Sequence, residues 1–178
     1  YCGYMPQQDM LLPWRTVVKN VRLPLEIQGA FSESEMNQRA EQALAAVGLE
    51  GQGRKFPKEL SGGMRQRAAF ARTLLTGSNL LLLDEPFSAL DYLTRLTMRE
   101  WLLEQWERER KTVLFVTHDV EEALFLSNRV LAAEGAPITQ LRSFRIPAGY
   151  PRTPETLQQS EMLVQKEQLI AMLRRKVS

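Results

Sequence analysis

The feature that most constrains this chain is a pair of short apolar runs, Leu-Leu-Leu-Leu at residues 80–83 and Val-Leu-Phe-Val at residues 113–116, each closed by a polar cluster. Asp84-Glu85-Pro86 follows the first and Thr117-His118-Asp119 the second. Continuous apolar runs of this length suit strands buried on both faces, as in a parallel sheet. Two parallel strands require a crossover of a dozen or more residues. Residues 92–110, rich in Leu, Arg, Glu and Trp and free of Gly and Pro, supply a helical one. A helix over about 120–127 and a strand around 130–133 continue the alternation, which defines an α/β layered fold. Ligands of such folds bind beyond the carboxyl ends of the strands, where Asp84, Glu85 and His118 stand.

Upstream, Ser32 and Glu35 form a capping-box pair before Met36, Ala40, Ala43, Leu44 and Val47, and Gly48 is placed to end the turn, so the spacing predicts a helix over about 33–47. Ser61 is placed as the N-cap of a second helix with Met64, Ala68, Ala71 and Leu75 on one face, Arg65, Arg67 and Arg72 elsewhere, and Gly77 as the stop. Beyond a Pro/Gly/Arg-containing stretch at 146–153, Thr153-Pro154-Glu155 opens a last helix with Leu163, Ile170, Leu173 and Val177 on one stripe.

Length and composition fit one globular domain: 178 residues, 44% apolar, 25% charged, net charge +2. Disorder, collagen and a disulfide scaffold are excluded. No uncharged apolar run approaches the ~20 residues of a membrane-spanning helix, and the opening residues lack a signal-peptide pattern. Cys2 cannot form an internal disulfide, Cys2 and His118 alone give no zinc cluster, and a reducing, cytosolic setting is expected. With 23 basic against 21 acidic residues and no dense basic block, no nucleic-acid partner is expected.

Three places carry candidate chemistry, each with a plain structural alternative. Adjacent carboxylates at a strand end suit phosphoryl transfer, Asp84 holding a Mg2+ shell while Glu85 polarises a water, or they are two solvated acids before a proline turn. Ser61-Gly62-Gly63 ahead of a helix can offer amides and helix dipole to a phosphate, or is a glycine-containing helix start. His118 can donate to a γ-phosphate or serve as a structural hydrogen-bonder.

The joint order of these segments is more specific. Gln7 with Leu11-Leu12-Pro13-Trp14, then Leu60-Ser61-Gly62-Gly63-Met64-Arg65-Gln66-Arg67, the run ending in Asp84-Glu85-Pro86, Ser88-Ala89-Leu90-Asp91 and Thr117-His118-Asp119 resemble the ATP-binding-cassette ATPases over residues ~1–134. The resemblance implies a partial RecA-like core with a parallel sheet, plus a helical subdomain over about 14–77. It places the cassette at residues 1–145 and a C-terminal extension at 146–178. It also implies roles: Gln7 as the Q-loop glutamine at the metal and attacking water, Asp84 as the Walker B metal carboxylate, Glu85 as the general base, Asp91 as the D-loop aspartate and His118 as the switch histidine. Ser61, Gly62 and Gly63 match the signature loop, which in this family acts in trans on ATP held by an opposite subunit, so a head-to-tail homodimer is expected.

Two departures from the family pattern stand out. Met64 replaces a common Gln, and none of the 10 glycines is followed by Lys, so the phosphate-cradling G-x-x-x-x-G-K-[ST] loop is missing from these residues. The family places that loop upstream of the Q-loop, and a start at Tyr1 leads us to expect a longer chain. The present residues alone are then expected to lack ATPase activity and to leave apolar surface and an unpaired strand edge where the missing elements pack.

The segment from Gln7 to Glu26 looks like the importer branch for nitrate, sulfonate, taurine and related solutes. The function implied is ATP hydrolysis, with ATP and Mg2+, driving uptake on the cytoplasmic face of an inner membrane. The partners would be transmembrane permease subunits and, indirectly, a solute-binding protein. In that branch a helix of the membrane subunit seats near the Q-loop. Leu11 and Leu12 are expected in the core, and Trp14 beside Arg15 is expected at the partner contact. An inactive cassette acting as an interaction module, and a soluble cassette of repair or translation, are the alternatives.

Overall fold

The computed structural model describes residues 2–134 and 138–174. They form two compact units, Tyr1–Met98 with Arg108–Val116, and Arg99–Glu107 with Thr117–Ser178. Among the described residues no helix is long and apolar enough to cross a membrane.

The first unit opens on β1 (Gly3–Met5), followed by the short helices α1 (Val17–Val21) and α2 (Leu23–Gln28), α3 (Glu33–Ala46), α4 (Gly62–Leu74), β2 (Leu80–Asp84), the two ends of α5 (Tyr92–Glu109), whose residues Arg99–Glu107 are counted with the second unit, and β3 (Thr112–Val116). The strands form one parallel sheet in the order β1-β2-β3. The break between α1 and α2 falls where Pro24 enters the first turn of α2 and removes an amide donor. Gly29 then ends α2 in a left-handed conformation (φ 66°). The Ser32–Glu35 capping box forms as the sequence predicts, and Ala40, Leu44 and Val47 are buried. Helices α1, α3 and α4 pack on one another, and α4 packs on β1. Phe87 links the layers, its ring 5.9 Å from Phe70 of α4 and 5.7 Å from Phe115 of β3.

One sequence expectation needs correction here. The strands are not buried on both faces. Met5, Leu81 and Leu83 are buried, but on the opposite face Tyr4 and Leu114, in one cross-strand row through Leu82, are 57% and 53% exposed, and Val116 is 49% exposed. Four leucines in a row fill either face equally well, so the run does not reveal that only one is covered among the described residues. In α4, Arg65, Arg67 and Arg72 lie off the apolar face, as expected, and each donates to a backbone carbonyl outside the helix.

The second unit contains α6 (Val120–Leu126), β4 (Arg129–Glu134), β5 (Gln140–Arg145) and α7 (Ser160–Arg174). The strand expected at 130–133 is β4, but it pairs antiparallel with β5 in a separate two-stranded sheet instead of extending the parallel one. The core joins Leu124, Ala132, Ile146, Met162, Leu169 and Met172. The last helix therefore turns a different stripe inward. Leu163 and Leu173 are exposed while Met162, Leu169 and Met172 are buried, and Val177 lies outside the described residues. Paired apolar residues (Met162-Leu163, Leu169-Ile170, Met172-Leu173) offer two stripes of the same helical spacing, and tertiary packing chooses between them.

Arg152 is buried and closes the end of α6. Its guanidinium donates to the carbonyls of Leu124 (2.8 Å), Phe125 (3.1 Å), Ser127 (2.7 Å) and Ala148 (2.6 Å) and lies 4.2 Å over the Tyr150 ring. Burial pushes its pKa down, opposed by Tyr150.

Candidate functional site

Strand β2 ends at Asp84, level with Val116 of β3, and the next residue leaves the sheet. Glu85 does so in a left-handed backbone conformation (φ 46°), which costs a non-glycine residue about 1 kcal/mol or more. Its amide donates to the Val116 carbonyl at 2.9 Å. Its own carbonyl accepts from the Ser88 amide (3.2 Å), the Ser88 hydroxyl (3.0 Å) and Gln66 Nε2 (3.0 Å). These bonds hold the turn against its strain and project the Glu85 carboxylate from the strand end.

Gln7 reaches the same carboxylate. Two residues beyond β1, it donates from Nε2 to Glu85 Oε2 at 3.0 Å. The chain that follows is tied to α4. Arg72 donates to the carbonyls of Asp9 and Met10, both at 2.8 Å, and Arg65 Nε pairs with Asp9 Oδ2 at 3.0 Å. Burial lowers the Arg72 pKa while the Asp9 charge opposes the shift. Met10 too is left-handed (φ 47°), so both segments that present polar side chains at the strand ends carry one strained residue fastened by side chains of α4.

The Ser61-Gly62-Gly63 segment starts α4. Ser61 is the N-cap, its hydroxyl accepting from the Met64 amide at 3.2 Å. The first amides of a helix have no intrahelical partner and carry partial positive charge. The two glycines differ. A methyl on Gly62 would meet nothing closer than the end of Arg65 at 3.8 Å, whereas one on Gly63 would press on the Ala89 carbonyl at 3.2 Å and Leu90 at 3.3 Å. At Gly63 a side chain would therefore have to push the 88–91 loop back by a few tenths of an ångström. At the end of that loop Asp91 caps α5, accepting from the Thr94 amide (3.0 Å) and hydroxyl (2.6 Å), and these bonds, the hydroxyl first, hold its carboxyl below the usual range.

Of the candidate residues, the structure joins Gln7 to Glu85, sets Asp84 beside Glu85, and packs Gly63 against the loop leading to Asp91. His118 belongs to the second unit. It is exposed, between Thr117, whose hydroxyl donates to Glu122 (2.7 Å), and Asp119, which caps α6 by accepting from the Glu121 and Glu122 amides. Leu11 is buried and Trp14 is 72% exposed. The loop carrying them is gripped by the fully buried Asn20, whose amide nitrogen donates to the Leu12, Arg15 and Thr16 carbonyls while its oxygen accepts from the Leu12 amide at 2.7 Å. Sequence reasoning gave no role to Asn20, Gln66 or Arg72. The available signal was a polar residue at an inward-facing helical position, Asn20 beside Val17 and Val21, Gln66 among the alanines of α4.

The Asp84 and Glu85 carboxylates and the Gln7 side-chain oxygen are hard donors of the type Mg2+ takes. Among the described residues no group of three or more His, Cys, Asp or Glu forms a closed metal cage. The donor set fits a cation that completes its shell with phosphate oxygens and water.

Comparison with known proteins identifies the class to which this arrangement belongs. The family model described as "ABC transporter" matches residues 1–88. A solved ATP-binding cassette, MJ0796, determined as a dimer in a post-hydrolysis state with ADP and Pi, superposes with a TM-score of 0.75 at 33% identity, over 83% of this chain and 64% of that one. The matched residues carry the sequence pattern and fold of the ABC transporter ATP-binding domain. Within that class, the likeness is to import ATP-binding proteins. The formylaminopyrimidine import protein ThiZ of Halalkalibacterium halodurans is 49% identical over 89% of this chain and 64% of its own length. The taurine import protein TauB of Rhizobium johnstonii is 48% identical over 76% and 51%. The aliphatic sulfonates import protein SsuB of Bacillus cereus is 40% identical over 88% and 62%. The chain thus spans half to nearly two thirds of the length of these relatives.

Proposed function

We propose that these residues are the signature and hydrolytic part of an ATP-hydrolysing subunit that powers import of a small solute, with residues 1–145 as cassette and 146–178 as an extension. The observation that carries the reading is the bond from Gln7 to the Glu85 carboxylate at the carboxyl end of β2, beside Asp84. Names of relatives extend the solute class from sulfonates and taurine to formylaminopyrimidine, and no residue here selects among them. Bound Mg2+ would supply charge neutralisation on the phosphates, with Asp84 and Gln7 as its protein donors. Glu85 accepts the proton of the attacking water and Gln7 orients the carboxylate and that water. Amides of Ser61, Gly62 and Gly63, with Asp91 in support, face the nucleotide of a second copy, and His118 serves as a donor to a γ-phosphate. Trp14, exposed beside Arg15, contacts the permease.

The test is reconstitution of the full-length protein with its permease and solute-binding protein in lipid vesicles. ATP-dependent accumulation of taurine, an alkanesulfonate or a formylaminopyrimidine is expected. Stable assembly with no phosphate release would leave the chain an interaction module.

A further inference from the structure

Gln66 is 3% exposed and uses both ends of its amide. Nε2 donates to the Glu85 carbonyl at 3.0 Å and to the Ser88 hydroxyl at 3.2 Å, and Oε1 accepts from the Ala89 amide at 2.8 Å. An aliphatic residue of its size would take the acceptor from the Ala89 amide and remove one of the three donors that hold the Glu85 carbonyl. Its position gives these bonds a directional meaning. Gln66 lies in the second turn of α4, the helix opened by Ser61-Gly62-Gly63, and it grips both the strained residue that presents the carboxylate and the loop that runs on to Asp91. The same helix, through Arg72, grips the loop after Gln7. A shift of α4 is therefore transmitted to both partners of the Gln7–Glu85 bond.

We propose that Gln66 is a positioning residue that couples the signature helix to the hydrolytic carboxylate, fixing the Glu85 backbone so that its side chain is aligned with the attacking water. The inference rests on the reading of Glu85 as general base. The hydrogen bonds of the Gln66 amide run to Glu85, Ser88 and Ala89, so it acts through Glu85 and the 88–91 loop. A misplacement on the scale of 1 Å suffices to cost a large factor in rate.

The experiment compares full-length parent, Gln66→Ala and Glu85→Gln for phosphate release, ATP affinity and ATP-dependent dimerisation by size-exclusion chromatography. Gln66→Ala is expected to lower kcat by ~10-fold or more, to leave the ATP KM within about twofold, and, like Glu85→Gln, to accumulate an ATP-bound dimer. A purely structural role predicts loss of affinity and dimer together with rate. That outcome, or a parental kcat, overturns the assignment of Gln66 while Glu85→Gln remains inactive and the base stands. A Glu85→Gln protein that turns over like the parent overturns both. If Gln66→Ala does not fold, Gln66→Glu is judged by the same criteria. It keeps the acceptor for the Ala89 amide and loses the donor to the Glu85 carbonyl.

Discussion

In the unit containing residues 2–98, buried or half-buried side-chain nitrogens donate to backbone carbonyls of the segments that carry candidate site residues. Asn20 grips the loop that displays Trp14, Arg72 the loop after Gln7, and Gln66 the turn that presents Glu85. In the unit containing residues 117–174 the same device, Arg152, closes the carboxyl end of α6, and the segments it holds present no candidate site residue. The device is common to both units, but only in the first does it hold segments that carry candidate site residues. Clamps of the first unit should accordingly affect rate or assembly as well as stability, and the clamp of the second should affect stability alone.

The largest effect is expected from Arg152→Ala, which strands four carbonyls around a buried site and should destabilise the second unit by about 3 kcal/mol or more. Hydrogen exchange is expected to accelerate in α6 and α7 while α3 and α4 keep their protection. Loss of protection in α4 as well would remove the distinction between the units. Asn20→Ala comes next, at about 2–3 kcal/mol, visible as a lowered Tm and faster exchange at Leu12. The glycine pair sharpens the comparison within α4. Gly63→Ala must displace the Ala89 carbonyl and should cost about 1–2 kcal/mol, whereas Gly62→Ala should leave the melt within about 0.5 kcal/mol and still impair turnover if nucleotide approaches there. Equal melts for the two would show that the 88–91 loop yields freely. The smallest stability effect belongs to Trp14→Ala, within about 0.5 kcal/mol of the parent. Its co-purification with the permease should nonetheless weaken by ~1–3 kcal/mol, as for an interface aromatic.

Legibility from sequence followed the range of the forces involved. Helix α3 and the start of α4 were readable because caps act over three residues, Ser32 with Glu35 and Ser61 with the Met64 amide. Strand β2 and its acidic end were readable as an uninterrupted apolar run. Strand β1 is only three residues long and owes its existence to pairing with residues 81–83, some 78 positions away. Strand β5, Gln-Leu-Arg-Ser-Phe-Arg, is exposed at five of its six positions and has no apolar alternation to betray it. The pairing of Gln7 with Glu85 is implied by no local pattern, and spacing supplied the motifs but not the Gln66 amide that holds them. Such a clamp is legible only once the carbonyls it collects have been brought together.

The most direct test of the account is the rate of phosphate release by full-length Glu85→Gln under saturating ATP, with nucleotide binding measured on the same sample. The substitution keeps the shape of the side chain and removes the base. ATP affinity is expected to stay near that of the parent while turnover falls by ~100-fold or more. A Glu85→Gln protein that binds ATP and releases phosphate at the parental rate would contradict the assignment of this carboxylate, and with it the reading of the strand-end site as the hydrolytic centre.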